Sequence, residues 1–412
     1  MRLPNDFEQA MTNILGKDEY ARLAEALSMP APTSIRINPQ KIEAEELAIL
    51  KEAEQVPWCK DGFYLKERPS FTFDPLFHAG CYYVQEASSM FLAHVLKQYV
   101  NEPVVALDLC AAPGGKSTLA LSELPEGSLL IANEAMRQRA NILAENITKW
   151  GNPNCIVTNN YAEDFQAFSH TFDLIICDAP CSGEGMFRKD PASIGEWSLA
   201  NVETCWRRQR DIVSNIWHTL KEDGIFIYST CTYNPKEDEE NVAWMAETLG
   251  AEVLSCHPHP DWGLTERNTH FYPHRTKGEG FFISVLRKTS TDEAAVVGHR
   301  KKNLPAQLLQ RARRTLKVIY AGMEAPLQTD KHGRPNHSLA LSNNLDRTAY
   351  PMVEVDESQA IAYLRTEALQ LPPDTPRGYV ILTYQGHPLG FVKNIGSRAN
   401  NLYPAEWRIR KQ

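Results

Sequence analysis

Two cysteines stand where α/β proteins place reacting groups. Asp173-Leu-Ile-Ile-Cys-Asp-Ala-Pro-Cys-Ser-Gly183 reads as a buried strand that delivers Asp178 and, just past its end, Cys181. Tyr228-Ser-Thr-Cys-Thr-Tyr233 does the same with Cys231. Such thiols can pair, bind a metal or react. The chain has nine cysteines, an odd number. Its first residues, Met1-Arg-Leu-Pro-Asn-Asp-Phe7, lack the apolar core of a secretion signal. The cysteines therefore read as free thiols in a reducing compartment, the cytoplasm. There is no Cys-x-x-Cys pair, and no His or further Cys is spaced to complete a site. Cys256-His-Pro-His259 reads as a surface turn, so no metal is expected. Reaction remains.

A third stretch supplies the context. Val104-Val-Ala-Leu-Asp-Leu-Cys-Ala-Ala-Pro-Gly-Gly-Lys-Ser117 reads as a strand, a glycine turn and a helix start. Gly114 and Gly115 let the backbone approach a ligand closely, and the helix start offers free N–H groups. A phosphate-binding P-loop needs glycine where Cys110 stands, so a nucleotide hydrolase is disfavoured. Adenosine binding predicts an acidic residue about 20 positions on, after the next strand, to hold ribose hydroxyls. Glu134 fits, and S-adenosylmethionine (SAM) is the candidate ligand. By itself, a tight turn in an ordinary α/β protein would look the same.

A thiol beside a methyl donor has a specific use. Carbon 5 of cytosine is a poor nucleophile towards a methyl sulfonium. A thiolate adding to carbon 6 moves electron density to carbon 5, which then takes the methyl group. A base must next remove the carbon 5 proton so that the thiol can leave. A carboxyl at the base's polar edge steadies the adduct, and Asp178 is placed for that. A free thiol, with a pKa of about 8.5, is mostly protonated at neutral pH. A nearby cation would help, and Lys189 or Arg188 could supply it; a solvated loop lysine is the plainer reading.

The elements that must position these residues alternate. Strands are expected at 104–110, 128–133, 155–159, 172–178, 224–230 and 251–255, with an antiparallel one at 281–286. Helices are expected at 116–124, 136–150, 199–220 and 237–249. That is a doubly wound, mostly parallel α/β sheet, which binds ligands at its strands' carboxyl ends. Residues 1–95 read as a small α+β unit: a helix over Asp6–Leu27, a strand at Ser34–Asn38 and a helix over Ile42–Ala53. The expected domains are thus 1–95, 96–288, a polar linker at 289–303, and 304–412. The last opens on a basic amphipathic helix and closes on a hairpin at 378–393. There Tyr403, Trp407 and nearby arginines suit base stacking and phosphate contact, or equally a small core. The net charge of −8 hides an asymmetry. Residues 287–412 hold 19 Lys and Arg against 11 Asp and Glu, so they carry +8 and the rest −16. That suggests a polyanion-binding end on an acidic body. No stretch of 18 apolar residues offers a membrane span.

At these residues the chain resembles the Nop/Sun family of RNA cytosine-5 methyltransferases. The resemblance rests on Leu107-Asp-Leu-Cys-Ala-Ala-Pro-Gly-Gly-Lys-Ser117, Asp178-Ala-Pro-Cys-Ser-Gly183 and Ser229-Thr-Cys231. Val84-Gln-Glu-Ala-Ser-Ser89, Met186-Phe-Arg-Lys-Asp-Pro191 and Lys277-Gly-Glu-Gly-Phe-Phe282 narrow it. The closing residues Leu389-Gly390, Asn401, Pro404 and Trp407-Arg408 are similar to the bacterial branch acting on 16S ribosomal RNA. The resemblance implies a Rossmann-like SAM-dependent core, an α+β N-terminal domain and a PUA-like C-terminal domain. It implies that Cys231 attacks carbon 6 and that Cys181 is needed for product release. DNA cytosine methyltransferases use the Pro-Cys thiol instead, so motif chemistry alone leaves the two interchangeable. Cys110, Ala111, Ala112, Pro113, Gly114, Gly115 and Lys116 would wrap the methionine part of SAM. Glu134 would bind ribose, and Asp178 would face both cofactor and base. Where the family often has Asp after the third strand, this chain has Asn159 and Asn160; the Asn160 amide oxygen can accept from the adenine amino group. The implied partner is 16S rRNA in the decoding region of the small subunit, met by a monomer. A tRNA substrate, or an RNA-binding assembly factor with a vestigial cleft, are the competing readings.

Overall fold

The computed structural model describes residues 3–289, 304–327, 329 and 333–410. The chain opens on helices α1 (Asn5–Leu15) and α2 (Lys17–Ser28). One helix is expected here, but Gly16 at φ 83° splits it, a conformation glycine adopts without steric cost. Phe7, Met11, Leu23 and Leu27 are buried against Phe187, Trp197, Tyr233 and Tyr272. A four-stranded antiparallel sheet follows: β1 (Thr33–Ile37), β2 (Glu54–Gln55), β3 (Gly62–Leu65) and β4 (Tyr82–Val84), in the order β2-β3-β1-β4. The short helix α3 (Pro75–His78) precedes β4. The helix expected over Ile42–Ala53 is two single 3-10 turns instead. Its buried residues, Ile42 and Leu47, are five apart, a spacing that one helical face cannot present.

Helix α4 (Phe91–Tyr99) leads into the central sheet. Its first parallel strands are β5 (Val105–Asp108), β6 (Leu129–Asn133) and β7 (Cys155–Thr158), with α5 (Gly115–Glu123) and α6 (Arg137–Trp150) between them. Then come β8 (Phe172–Asp178), α7 (Ala192–Glu196), α8 (Leu199–Ile216), β9 (Leu220–Thr230), α9 (Glu239–Leu249), β10 (Ala251–Leu254), β11 (Thr269–Phe271) and β12 (Phe281–Lys288). The sheet order is β10-β12-β9-β8-β5-β6-β7, with β12 antiparallel to β9. Leu107, at the centre, pairs with Ile131 on one side and Ile175 on the other. All three are fully buried, and each such side chain contributes about 1.5–3 kcal/mol. The strand order reverses at β5, so a crevice opens between the ends of β5 and β8.

Helix α10 (Leu304–Thr315) and strand β13 (Val318–Ala321) depart from the expected boundary. β13 pairs antiparallel with β7 and extends the central sheet. Leu308, Leu309, Ala312 and Leu316 pack into the core beneath it. Residues 304–321 therefore belong with the catalytic sheet, because that edge strand and its apolar face need cover. The expected linker, from residue 290 on, lies outside the described residues. The C-terminal unit holds α11 (His337–Leu341), β14 (Met352–Glu354), α12 (Glu357–Leu364), β15 (Gly378–Tyr384), β16 (His387–Asn394) and β17 (Ala399–Asn401). Its sheet runs β14-β15-β16-β17. It shares one core with the N-terminal sheet, where Ile35, Ile37 and Tyr82 meet Tyr363, Leu382, Tyr403 and Ile409. Tyr403 is thus buried and fills a core rather than offering a face to a base. Among the described residues no helix is long and apolar enough to cross a membrane.

Candidate active site

The glycine turn is braced from three sides. From β6, Asn133 Nδ2 donates to the Leu109 carbonyl at 3.0 Å. From α6, Arg139 Nη2 donates to the Ala112 carbonyl and Asn146 Nδ2 to that of Pro113, each at 2.8 Å. From β1 of the N-terminal sheet, the buried Arg36 reaches into the first turn of α5. Its Nη2 donates to Thr118 Oγ1 at 2.6 Å and to the Gly115 carbonyl at 3.3 Å. Its guanidinium lies 4.4 Å above the Trp150 ring. Gly114, at φ 117°, caps α5 without a side-chain acceptor, which leaves the helix's first N–H groups facing the crevice end.

Two buried carboxylates flank the turn. Asp108 accepts from Ser117 Oγ at 2.6 Å, and burial pushes its carboxyl up to about 7. Glu134 directly follows β6, at the strand end where it is expected. Its Oε1 accepts from the Met136 N–H at 2.9 Å, while Oε2 has an ion pair with Arg139 at 3.4 Å and no hydrogen bond among the described residues. A buried acceptor left open, beside free helix N–H groups, fits the hydroxyls and charges of an adenosine sulfonium. Cys110 sits against Cys177, which with burial pushes its thiol well up, so it stays protonated.

Across the crevice the two motif thiols meet. Cys181 Sγ and Cys231 Sγ are 3.0 Å apart, and the Cys231 N–H donates to Cys181 Sγ at 3.3 Å. Ser182 Oγ lies 3.1 Å from Thr232 Oγ1, and the Gly185 N–H donates to the Cys231 carbonyl at 2.9 Å, so the two loops are zipped together. Cys231, burial and the charge of Glu237 all push the Cys181 thiol upwards. The register of β8 with β9 sets Asp178 beside Ser229, whose Oγ donates to Asp178 Oδ1 at 2.8 Å. Lys116 Nζ lies 2.9 Å from Asp178 Oδ2. Burial alone would pull the Lys116 ammonium down, but Asp178, and after it Cys231, hold it above its usual value.

The two loop cations, Lys189 and Arg188, differ in their setting. Lys189 is exposed, and Arg188 is buried in an ion pair with Glu279 at 3.0 Å. The cation whose charge is coupled to Cys231 is Lys116, paired with Asp178 at the end of β8. Asn160 Oδ1 accepts from the Lys317 N–H at 2.9 Å, which fastens the approach to β13 and leaves the oxygen's second lone pair for a further donor. Sequence reasoning also missed Arg36, Asp108 and Glu237. Arg36 gave a faint signal as the lone charge in an alternating apolar strand. Glu237 gave one as an acid six residues past Cys231.

Comparison with known proteins agrees with this architecture. A family model described as 16S rRNA methyltransferase RsmB/F matches residues 93–287. The N-terminal domain of 16S rRNA methyltransferase RsmF matches residues 3–87, and the methyltransferase RsmF PUA domain matches residues 350–409. Ribosomal RNA small subunit methyltransferase F of Enterobacter sp. (strain 638) is 32% identical, over 92% of this chain and 90% of its own. The protein of that name from Salmonella agona is 31% identical, over 97% and 94%. A solved methyltransferase homolog from Pyrococcus horikoshii is 27% identical, with a TM-score of 0.59, over 69% of this chain and 95% of that one. NSun6 from Pyrococcus horikoshii, solved with SFG, superposes with a TM-score of 0.60 at 23% identity, over 70% and 98%, and shares the fold. The core is that of a SAM-dependent methyltransferase. With all three of its family segments in order and relatives matched nearly end to end, the chain belongs to the RsmF family of 16S rRNA methyltransferases.

Proposed function

We propose that the protein forms 5-methylcytidine in 16S rRNA, in the decoding region of the small subunit, through a covalent bond between Cys231 and cytosine. The observation that carries this reading is the thiol pair, 3.0 Å apart, beside a carboxylate–ammonium pair at the end of β8. SAM supplies an electrophilic methyl group at that crevice. The target base must be swung out of its RNA to enter. Cys231, as thiolate, adds to carbon 6. Asp178 meets the polar edge of the ring, and Lys116 holds Asp178 in place and offsets negative charge. Carbon 5 then takes the methyl group. Cys181, having passed its own proton to solvent, accepts the carbon 5 proton as a thiolate while the Cys231–carbon 6 bond breaks and the ring double bond returns. The environment supports this order. Cys231 is the first cause holding Cys181 protonated, and its influence ends once its sulfur is bonded to carbon. The names of the relatives and the PUA-domain match support 16S rRNA as the substrate. Nine free cysteines among the described residues fit a cytoplasmic enzyme.

The test is covalent trapping. Wild type, Cys231→Ser and Cys181→Ser are mixed with unmethylated small subunits and SAM, then run on denaturing gels. A stable protein–RNA adduct with Cys181→Ser and none with Cys231→Ser is expected. The reverse pattern would exchange the two roles. No adduct from any variant, with no methyl transfer by wild type, would reject the covalent route or the RNA.

A further inference from the structure

Cys181 must stay within reach of a substrate held on Cys231, yet it lies in a loop. What fixes it is a buried network that the reaction itself does not use. Glu237 sits in the turn leading into α9 and is fully buried. Its Oε2 accepts from the Ser182 N–H at 3.0 Å, immediately after Cys181. The same oxygen accepts from Gln209 Nε2 at 2.8 Å. Gln209, buried on α8, also donates from Nε2 to the Pro180 carbonyl at 2.9 Å, immediately before Cys181. Both flanks of the thiol thus end on one carboxylate–amide pair. Asn241 closes the ring: its Nδ2 donates to Gln209 Oε1 at 2.8 Å. The Glu237 carbonyl in turn accepts from Tyr228 Oη at 2.7 Å, one strand residue before Ser229.

We propose that Glu237 is a positioning residue for product release, gripping the Pro180–Cys181–Ser182 loop from both sides so that the Cys181 thiol stands over the Cys231 adduct. The proposal rests on the assignment of Cys181 to release. Adduct formation needs Cys231, Asp178 and Lys116, none of which Glu237 touches. Removing its carboxylate therefore slows the second half of the reaction and spares the first. A displacement of about 1 Å at a reacting group costs on the order of 100-fold in rate.

The experiment uses full-length protein, small subunits and SAM, with Cys181→Ser as the reference. Glu237→Ala is expected to accumulate the denaturation-resistant protein–RNA adduct as Cys181→Ser does. Its steady-state turnover should fall on the order of 100-fold with the SAM KM unchanged. Glu237→Gln, whose amide oxygen still accepts from Ser182, should restore release. Gln209→Met, which frees only the Pro180 side, should also accumulate adduct, and it decides the matter if Glu237→Ala does not fold. A merely structural role would lower adduct formation and turnover together, or raise the SAM KM, and either result overturns the proposal. So does wild-type turnover in folded Glu237→Ala. Adduct with Cys181→Ser but none with Glu237→Ala and Gln209→Met rejects this inference alone. No adduct with Cys181→Ser rejects the release assignment beneath it.

Discussion

Replacing Glu237 by Gln should change how the protein's stability responds to pH. The carboxyl is buried among Ser182, Gln209 and Glu184, and burial is the largest influence on it. It is raised from its usual 4.5 to about 7. Below pH 4.5 the folded and unfolded chains both carry the proton, so nothing is lost. Between 4.5 and 7 the unfolded chain releases a proton that the folded chain keeps, and stability falls as pH rises. Above 7 both are ionised and the loss is complete. At 1.36 kcal/mol per pH unit, that window costs the folded state about 3 kcal/mol. Gln keeps the acceptor for Ser182 and cannot ionise, so its variant escapes this loss. Urea unfolding of wild type and Glu237→Gln at several pH values from 5 to 8.5 reads the difference directly. The gap between the two stabilities should move by about 2–3 kcal/mol in favour of Gln from pH 5 to pH 8. Other buried acids, such as Asp108, titrate in both proteins and cancel in the comparison. Parallel curves across that range would refute the reasoning, since they would mean the carboxyl ionises alike in both states.

Arg36→Met should cost about 1–3 kcal/mol in urea unfolding, because Gln85, Thr118 and Gly115 lose a shared buried donor, and a SAM titration should weaken with it. Lys116→Met should lower methyl transfer by roughly 100- to 1000-fold in single-turnover assays, as it leaves Asp178 without its ammonium. Lys189→Ala, by contrast, should leave turnover within about twofold of wild type, as expected of an exposed side chain.

The sequence displayed the chemistry because the reacting groups sit at strand ends. Val105–Asp108, Phe172–Asp178 and the second half of Leu220–Thr230 are local, largely apolar runs, and Cys110, Asp178 and Cys231 lie at or just past their ends. Position along the chain therefore translated into position at the crevice. What stayed hidden depends on contacts between distant segments. Lys116 meets Asp178 across a separation of many residues, whereas Lys189, nearer to Cys181 in sequence, is exposed. The bond from the Lys317 N–H to Asn160 Oδ1 spans more than 150 residues, so nothing near Asn160 in the chain announces it. Tyr403 offered the same letters for a stacking platform or a core residue, and only the opposite sheet decides between them. Two buried apolar positions five apart, Ile42 and Leu47, passed as a helix because periodicity was counted without knowing which faces are covered.

The core shared by the two ends of the chain sets a timetable for synthesis. His78 and Tyr403 touch across a separation of 325 residues. At about 5–20 residues per second, roughly 15–65 s pass between the emergence of the first and of the second. Throughout that interval Ile35, Ile37 and Tyr82 have only their N-terminal neighbours for cover, because the C-terminal residues of their core have not been made. The catalytic sheet can close meanwhile, up to β13. The earliest segment to leave the ribosome is thus among the last to find its place. A nascent chain of this protein carries a sticky apolar face for most of its birth, and one interrupted before residue 350 carries it permanently. Chaperone dependence and rapid proteolysis of truncated chains follow from where two sheets meet, with no reference to the active site.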